Sequence, residues 1–165
     1  MRVLYSRYAG YLTGVCSRYI ADDSAVKDIL QDSFIKIFHK AEEFEYRGEG
    51  SLKAWMTRIV VNDSLKQLRK KKNLPLPPTL ANEADVADEP WEYTKVPVNE
   101  LHGMIRRLPD GYRTVFNLYA FENKSHREIA QLLGIKEDSS ASQLHHARAL
   151  LSRWIKEYIH THNDE

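Results

Sequence analysis

Apolar residues return every three or four positions through most of this chain, the period of helices that bury one face. Leu4, Tyr8, Leu12, Val15 and Tyr19 form one such stripe; Val26, Ile29, Leu30, Phe34, Ile37, Phe38 and Ala41 form a second. Asp22, Asp23 and Ser24 stand before the second stripe as capping candidates, with Asp28 early enough to favour a helix N-terminus. The segment "YRGEGS" breaks the period, and Ser51 is expected to cap a third helix starting at Leu52. Leu52, Trp55, Met56 and Ile59 share one side of that helix, whereas Val61, Leu65 and Leu68 cluster nearly opposite. A helix with two apolar faces packs against different neighbours at its two ends, or bends.

The pattern lapses over residues 74–97, "LPLPPTLANEADVADEPWEYTKVP", which hold five of the six prolines. Proline removes backbone donors and disfavours helix in the residue before it. The stretch reads as a linker between a helical domain at 1–73 and another at 98–165. Fully extended it reaches roughly 80 Å; as a flexible coil its mean span is roughly 27 Å.

Beyond the linker, Val98, Leu101, Ile105 and Leu108 make a stripe that Pro109 stops, and Val115, Phe116 and Tyr119 belong to the next helix. Ser125 and Glu128 then form a capping box, Ile129, Leu132 and Leu133 face a core, and Gly134 stops the helix. Small Ala130 permits a neighbouring helix to approach closely. After "IKED", Leu144, Ala147, Leu151 and Ile155 line one face of a last helix. Ser139, Ser142, His146 and Arg153 lie on the other, with Gln143 beside them. Two helices joined by so tight a turn form a helix-turn-helix, the arrangement that presents its second helix to a major groove. The fold class is therefore all-α: two small helical domains on a flexible, proline-rich acidic linker, the C-terminal one a helix-turn-helix.

Composition narrows the function classes. At 42% hydrophobic and 28% charged residues the chain suits a soluble globular protein. No apolar run approaches the roughly 18 residues needed to span a bilayer, so no membrane insertion is expected. "MRVLYSRYAGYL" is amphipathic and unlike a secretory signal. The lone Cys16 excludes an intramolecular disulfide, suits a reducing cytoplasm, and falls on the apolar side of its helix as a small buried hydrophobe. His145, His146, His160 and His162 are dense near the C-terminus, but no Cys or Glu completes a ligand set with them, so no metal site is expected. Neither a glycine-rich phosphate loop nor a Ser/His/Asp arrangement is present. The chain is not expected to be an enzyme, and no cofactor or small-molecule substrate is expected either.

The net charge of +1 hides an asymmetry. Residues 1–73 hold 14 Lys and Arg against 9 Asp and Glu, residues 74–97 hold 1 against 5, and residues 98–165 hold 9 of each. The basic part ends in "KQLRKKKN", five cations within eight residues. Aromatics and a glycine-containing loop precede that run in the same element, a combination that suits single-stranded nucleic acid.

At this point the chain is recognisable. "AVKDILQDSFIKIFHKAEEF" followed by "GSLKAWMTRIVVNDSLKQLRKKK" resembles the first conserved domain of the extracytoplasmic-function (ECF) sigma factors, and "IRRLPDGYRTVFNLYAFENKSHREIAQLLGIKEDSSASQLHHARALL" resembles their second. The likeness covers nearly the whole chain, with both blocks in the right order. It implies a transcription initiation factor that binds the β and β′ subunits of core RNA polymerase and promoter DNA, opening the −10 element and reading the −35 element. It also implies an anti-sigma partner. The core-binding surface maps onto Asp28, Leu30, Gln31, Phe34 and Phe38, with Asp28 and Gln31 the better contacts because some of the apolar three must pack inside. The −10 surface maps onto Gly50, Ser51, Trp55, Arg58 and Asn62, with Lys66, Arg69, Lys70, Lys71 and Lys72 on phosphates. An acidic residue is common in relatives where Lys66 stands. The −35 surface maps onto Ser139, Ser140, Ser142, Gln143, His146 and Arg148, with Gln able to read adenine.

Relatives commonly carry cations where this chain has Ala141, Gln143 and His146. Fewer cations release fewer counterions and bind DNA more weakly. The C-terminal domain is therefore expected to bind usefully only when tethered to polymerase, where effective concentration replaces charge. The linker must then stretch to join elements about 70 Å apart, two helical turns of duplex. Its Asp85, Asp88, Glu89 and Glu92 could lie along the polymerase's RNA path, as the linkers of relatives do. The alternative is a two-domain helix-turn-helix regulator that binds duplex DNA without melting it. The basic, aromatic element at 50–72 separates the two, because a duplex-only regulator does not need it.

Overall fold

The computed structural model describes residues 2–70 and 93–162 of the 165-residue chain. Among the described residues there are seven α-helices and no strand. They form two compact units, α1–α3 in the first and α4–α7 in the second. Most of the expected linker, including its five acidic residues, lies outside the described residues, as do Lys71 and Lys72. Its C-terminal end is structured: Tyr93–Lys95 makes a short 3-10 turn and Val96 is buried.

In the first unit α1 (Arg2–Tyr19), α2 (Asp23–His39) and α3 (Ser51–Lys70) pack pairwise. Asp22 caps α2, its carboxylate accepting from the amides of Ser24 at 2.8 Å and Ala25 at 3.0 Å. The core is built from Leu12, Val15, Cys16 and Tyr19 of α1, Val26, Ile29, Phe34 and Ile37 of α2, and Met56, Val60, Val61, Leu65 and Leu68 of α3. The two apolar faces of α3 are thereby explained, since this helix touches both α1 and α2. Polar ties fix the pairing. Ser33 donates to the Asp63 carboxylate at 2.8 Å, and Lys36 ion-pairs with its other oxygen, joining α2 to α3. Between α1 and α3, Tyr11 and Thr57 share a hydrogen bond of 3.2 Å, and the Lys53 ammonium lies 4.0 Å from the centre of the Tyr11 ring.

In the second unit α7 (Glu137–His162) is the spine against which α4 (Val98–Arg107), α5 (Asp110–Ala120) and α6 (His126–Leu133) all pack. Leu144, Ala147, Leu151 and Ile155 are buried as their spacing predicts, together with Ile129 of α6 and Tyr112, Val115, Phe116 and Leu118 of α5. Leu132 and Leu133 are half-buried, and Val98, expected in the α4 stripe, is 78% exposed. It sits at the first position of its helix, ahead of the turn that reaches the core. Arg113 is buried at 3% exposure and holds the α4–α5 corner. One guanidinium nitrogen donates to the carbonyls of Arg106 and Leu108 at 3.0 and 2.9 Å, and another pairs with Asp110. The capping box of α6 is formed in both directions: Ser125 Oγ accepts from the Glu128 amide, and the Glu128 carboxylate accepts from the Ser125 amide. Gly134 follows with φ +67°, the left-handed stop that sets the angle between α6 and α7.

Candidate nucleic-acid interface

The loop before α3 is a closed frame. Gly48 and Gly50 take φ +104° and +82°, conformations that residues with a Cβ rarely adopt. Ser51 does not cap α3 as expected; its hydroxyl donates to the Gly48 carbonyl at 2.7 Å and accepts from the Arg47 amide at 3.3 Å, stitching the loop to itself. This bend brings Phe44 onto Trp55, with ring centroids 5.2 Å apart and planes tilted by 48°. The two rings, with Glu43, Glu45, Arg47, Ser51, Ala54 and Arg58, line an open pocket of about 450 Å³. Arg47 pairs with Glu45 at 3.0 Å on its rim, both side chains about four-fifths exposed. Trp55 is therefore half-buried, with part of its surface free to receive a ligand rather than sealed in the core. Tyr46 stands beside the pocket at 73% exposure. Phe44, Tyr46 and Arg47 were not singled out from the sequence. The available signal was two aromatics and a cation in a short, non-periodic loop between glycines and acids.

From the pocket a polar stripe runs down α3. Arg58, Asn62, Lys66 and Arg69 recur at helical spacing on the Trp55 side and are all exposed, as is Lys70. Trp55 to Arg69 spans about 21 Å at 1.5 Å per residue. Aromatic walls leading into a row of cations can seat an unstacked base and follow its strand.

The reading helix is phased differently from its sequence expectation. Ser140 is wholly buried and shares a 3.0 Å hydrogen bond with His126 Nδ1, and Gln143 is buried at 6% exposure. Both lie within the packing of α7 against its neighbours, so neither side chain is presented to solvent. His146 is half-buried, stacked on Tyr112 at 5.6 Å, and Ser139 is also half-buried. The exposed stripe is Asp138, Ala141, Ser142 and His145, with half-buried Arg148 at its edge. Of the expected residues Ser142 lies fully on it; His145, not among the expected residues, is exposed on the same stripe.

On the outer side of α2, Asp28 and Gln31 are exposed and Leu30 and Phe38 half-buried. Phe34 is only 4% exposed, packed on Tyr5 at 4.8 Å and Phe38 at 6.1 Å, so it supports this surface from beneath. The surface opens into a groove of about 760 Å³, along which Ile35 and Tyr5 are 48% and 55% exposed. Among the described residues no group of three or more His, Cys, Asp or Glu could hold a metal ion, and no helix is long and apolar enough to cross a membrane.

These features sit inside two family matches: residues 4–74 fit sigma-70 region 2, and residues 99–151 fit sigma-70, region 4. Together they define the class, a sigma-70 type transcription initiation factor. The ECF RNA polymerase sigma-E factor of Haemophilus influenzae is 28% identical over 93% of this chain and 86% of its own length. RNA polymerase sigma factor SigZ of Bacillus subtilis is 28% identical over 98% and 90%. A solved structure of the sigma factor RpoE of Bartonella quintana, in complex with the anti-sigma factor NepR, matches the fold with a TM-score of 0.53 at 21% identity, covering 94% of this chain and 96% of that one. The chain belongs to the ECF sigma factors, which bind core RNA polymerase and direct it to promoters.

Proposed function

We propose that the chain divides initiation among three surfaces. Asp28 and Gln31, flanking Leu30, Phe38 and the groove that Phe34 underlies, receive a helical element of core polymerase. Apolar knobs beside carboxylate and amide groups suit a partner helix bearing cations. The Phe44–Trp55 pocket, framed by Gly50 and Ser51, captures a base of the separated −10 strand. Arg58, Asn62, Lys66, Arg69 and Lys70 follow that strand's backbone, and Lys71 and Lys72 continue the run. Ser142 and His145 of α7 face the −35 duplex, with Ser139, His146 and Arg148 at the edges. The residues around 74–97 tether the two DNA-binding units. Polymerisation chemistry belongs to the core enzyme, and this chain carries out none; it works in the cytoplasm and is held by an anti-sigma partner until released.

The observation that carries this reading is the aromatic pocket opening at the head of an exposed cationic stripe. A protein that binds only duplex DNA has no use for it. The test is run-off transcription from a randomised promoter library with bacterial core polymerase, with and without the chain. Protein-dependent transcripts that select two short elements about two helical turns apart support the reading. Retention of duplex DNA by the chain alone, with no such transcripts, refutes it.

A further inference from the structure

The Phe44–Trp55 pocket carries an unexpected chemistry for a surface that meets a polyanion: Glu43 and Glu45 line it, with Arg47 and Arg58 beside them. We propose that the two carboxylates select the captured base by its exocyclic amino group, so that the pocket accepts cytosine, adenine or guanine and rejects thymine. The proposal rests on this pocket seating a base of the separated −10 strand.

An ionised carboxylate is an acceptor with no proton to give. Cytosine N4, adenine N6 and guanine N2 each bear an amino group that can donate to it, and carboxylates accept from cytosine N4 in duplex readout as well. Thymine has no amino group. Its one Watson–Crick donor, N3–H, lies between the O4 and O2 carbonyls. A carboxylate that reaches for that proton sets its second oxygen against a carbonyl oxygen, whichever side it approaches from.

The other polar groups of the lining leave this asymmetry in place. Every base offers an acceptor to a guanidinium, so Arg47 and Arg58 offset the charge of the carboxylates without telling the bases apart. Arg47 engages only Oε2 of Glu45, at 3.0 Å, and the other oxygen keeps its capacity to accept. Glu43 is exposed and, among the described residues, its carboxylate has no hydrogen bond or ion pair. The Ser51 hydroxyl already gives its proton to the Gly48 carbonyl at 2.7 Å, which removes it as a donor to thymine O4 or O2. No side-chain amide, able to present either a donor or an acceptor, lines the pocket among the described residues. Discrimination therefore falls to Glu43 and Glu45.

The test uses core polymerase with the full chain and a fluorescein-labelled promoter from the run-off selection, its −10 region pre-opened, with binding read by anisotropy. An abasic nucleotide is walked along the −10 strand. The captured position is the one where it weakens binding by wild type but not by Trp55→Ala. There, the best of cytosine, adenine and guanine should bind about tenfold or more tightly than thymine, the scale of one hydrogen bond to a charged group. Whichever of the three leads names the base. Uracil should bind as thymine does, which sets aside the methyl group. In E43Q/E45Q, whose amides can donate to a carbonyl, thymine should come within about threefold of the leader. Far-UV circular dichroism and a polymerase pull-down check that each variant folds and assembles. A uniform gain for all four bases in E43Q/E45Q, with the thymine penalty intact, shows that the carboxylates act through charge alone and overturns the proposal. Uracil binding as tightly as the leader overturns it too. If a Trp55-dependent position exists but tolerates thymine in wild type, only the amino-group selection fails. If no position depends on Trp55, the pocket does not seat a base, and the reading beneath fails as well.

Discussion

Phe44 and Trp55, eleven positions apart in the chain, meet at 5.2 Å across an open pocket, although one belongs to a loop and the other to α3. Each ring keeps a surface toward the pocket, so removing one should affect a ligand more than the fold. Stacking of a base on an aromatic side chain is worth about 1–3 kcal/mol. Trp55→Ala and Phe44→Ala should each lower the rate of promoter opening by about tenfold while leaving polymerase binding unchanged. Permanganate footprinting of the −10 region, beside a polymerase pull-down, checks both. A matching loss of polymerase binding would show that the rings merely hold the unit together.

Asp63 should matter for stability alone. Its side chain is 14% exposed, accepts from buried Ser33 and pairs with Lys36, which is 44% exposed. The ion pair is open to solvent on its Lys36 side and is worth little there; the stranded Ser33 hydroxyl is the larger loss. Asp63→Ala should destabilise the first unit by about 1–3 kcal/mol. Calorimetry should show a fall in Tm of about 4–8 °C for each kcal/mol lost, confined to one transition if the units unfold separately. A variant melting as wild type does would remove the tie from the account.

Burial pushes the Cys16 thiol up from its ordinary value; the Ser64 hydroxyl at 3.5 Å works against that, and the Asp63 charge adds to it. The folded thiol thus stays protonated where an unfolded one ionises. Its contribution to stability is complete below the unfolded thiol's value and declines as pH rises beyond about 8.5. In the native chain at pH 8, Cys16 should react with a disulfide reagent far more slowly than in denaturant. Equal rates would mean that α1 opens from α3 readily.

The α6 cap titrates in the opposite sense. The Ser125 amide and hydroxyl both donate to Glu128 and hold its carboxyl below the usual carboxylate range, with Lys124 assisting. The stabilisation is present above the unfolded carboxyl's value and lost as pH falls through the lowered one. Ser125→Ala should destabilise the second unit by about 1 kcal/mol at neutral pH, whereas Glu128→Gln, which removes the titrating group while the Ser125 amide keeps an acceptor, should flatten the unit's melting temperature between about pH 5 and pH 3. A wild-type acid slope in Glu128→Gln would place that titration elsewhere.

Ala141 offers a gain-of-function test of the weakly basic reading face. Ala141→Lys puts a cation on the exposed stripe and should steepen the salt dependence of duplex binding by about 0.9. Binding by the chain without polymerase should tighten at low salt. Unchanged affinity and slope would mean that position 141 does not face phosphate.

The helices were legible because their apolar period and caps are local: Asp22, the Ser125–Glu128 box and Gly134 announce boundaries within four residues of themselves. The phase of α7 was less so. Ser140 and Gln143 read as surface residues by type, yet both are buried within the packing of α7 against its neighbours, which no single-helix pattern reveals. The pocket was half visible. Trp55 stood out on a helix with two apolar faces, whereas its partner Phe44 sits in a non-periodic loop whose path depends on two left-handed glycines and a serine tied back to the main chain.

That tie has a further consequence. Main-chain atoms and Ser51 set the curvature of the loop, so Glu43, Glu45 and Arg47 decorate a frame they do not hold up. On the proposed reading, exchanging those three would alter the hydrogen-bonding groups offered to a base without reshaping the socket. If the pocket seats a base as proposed, one or two rim substitutions would shift promoter preference at little risk to folding, because the main-chain frame is left intact.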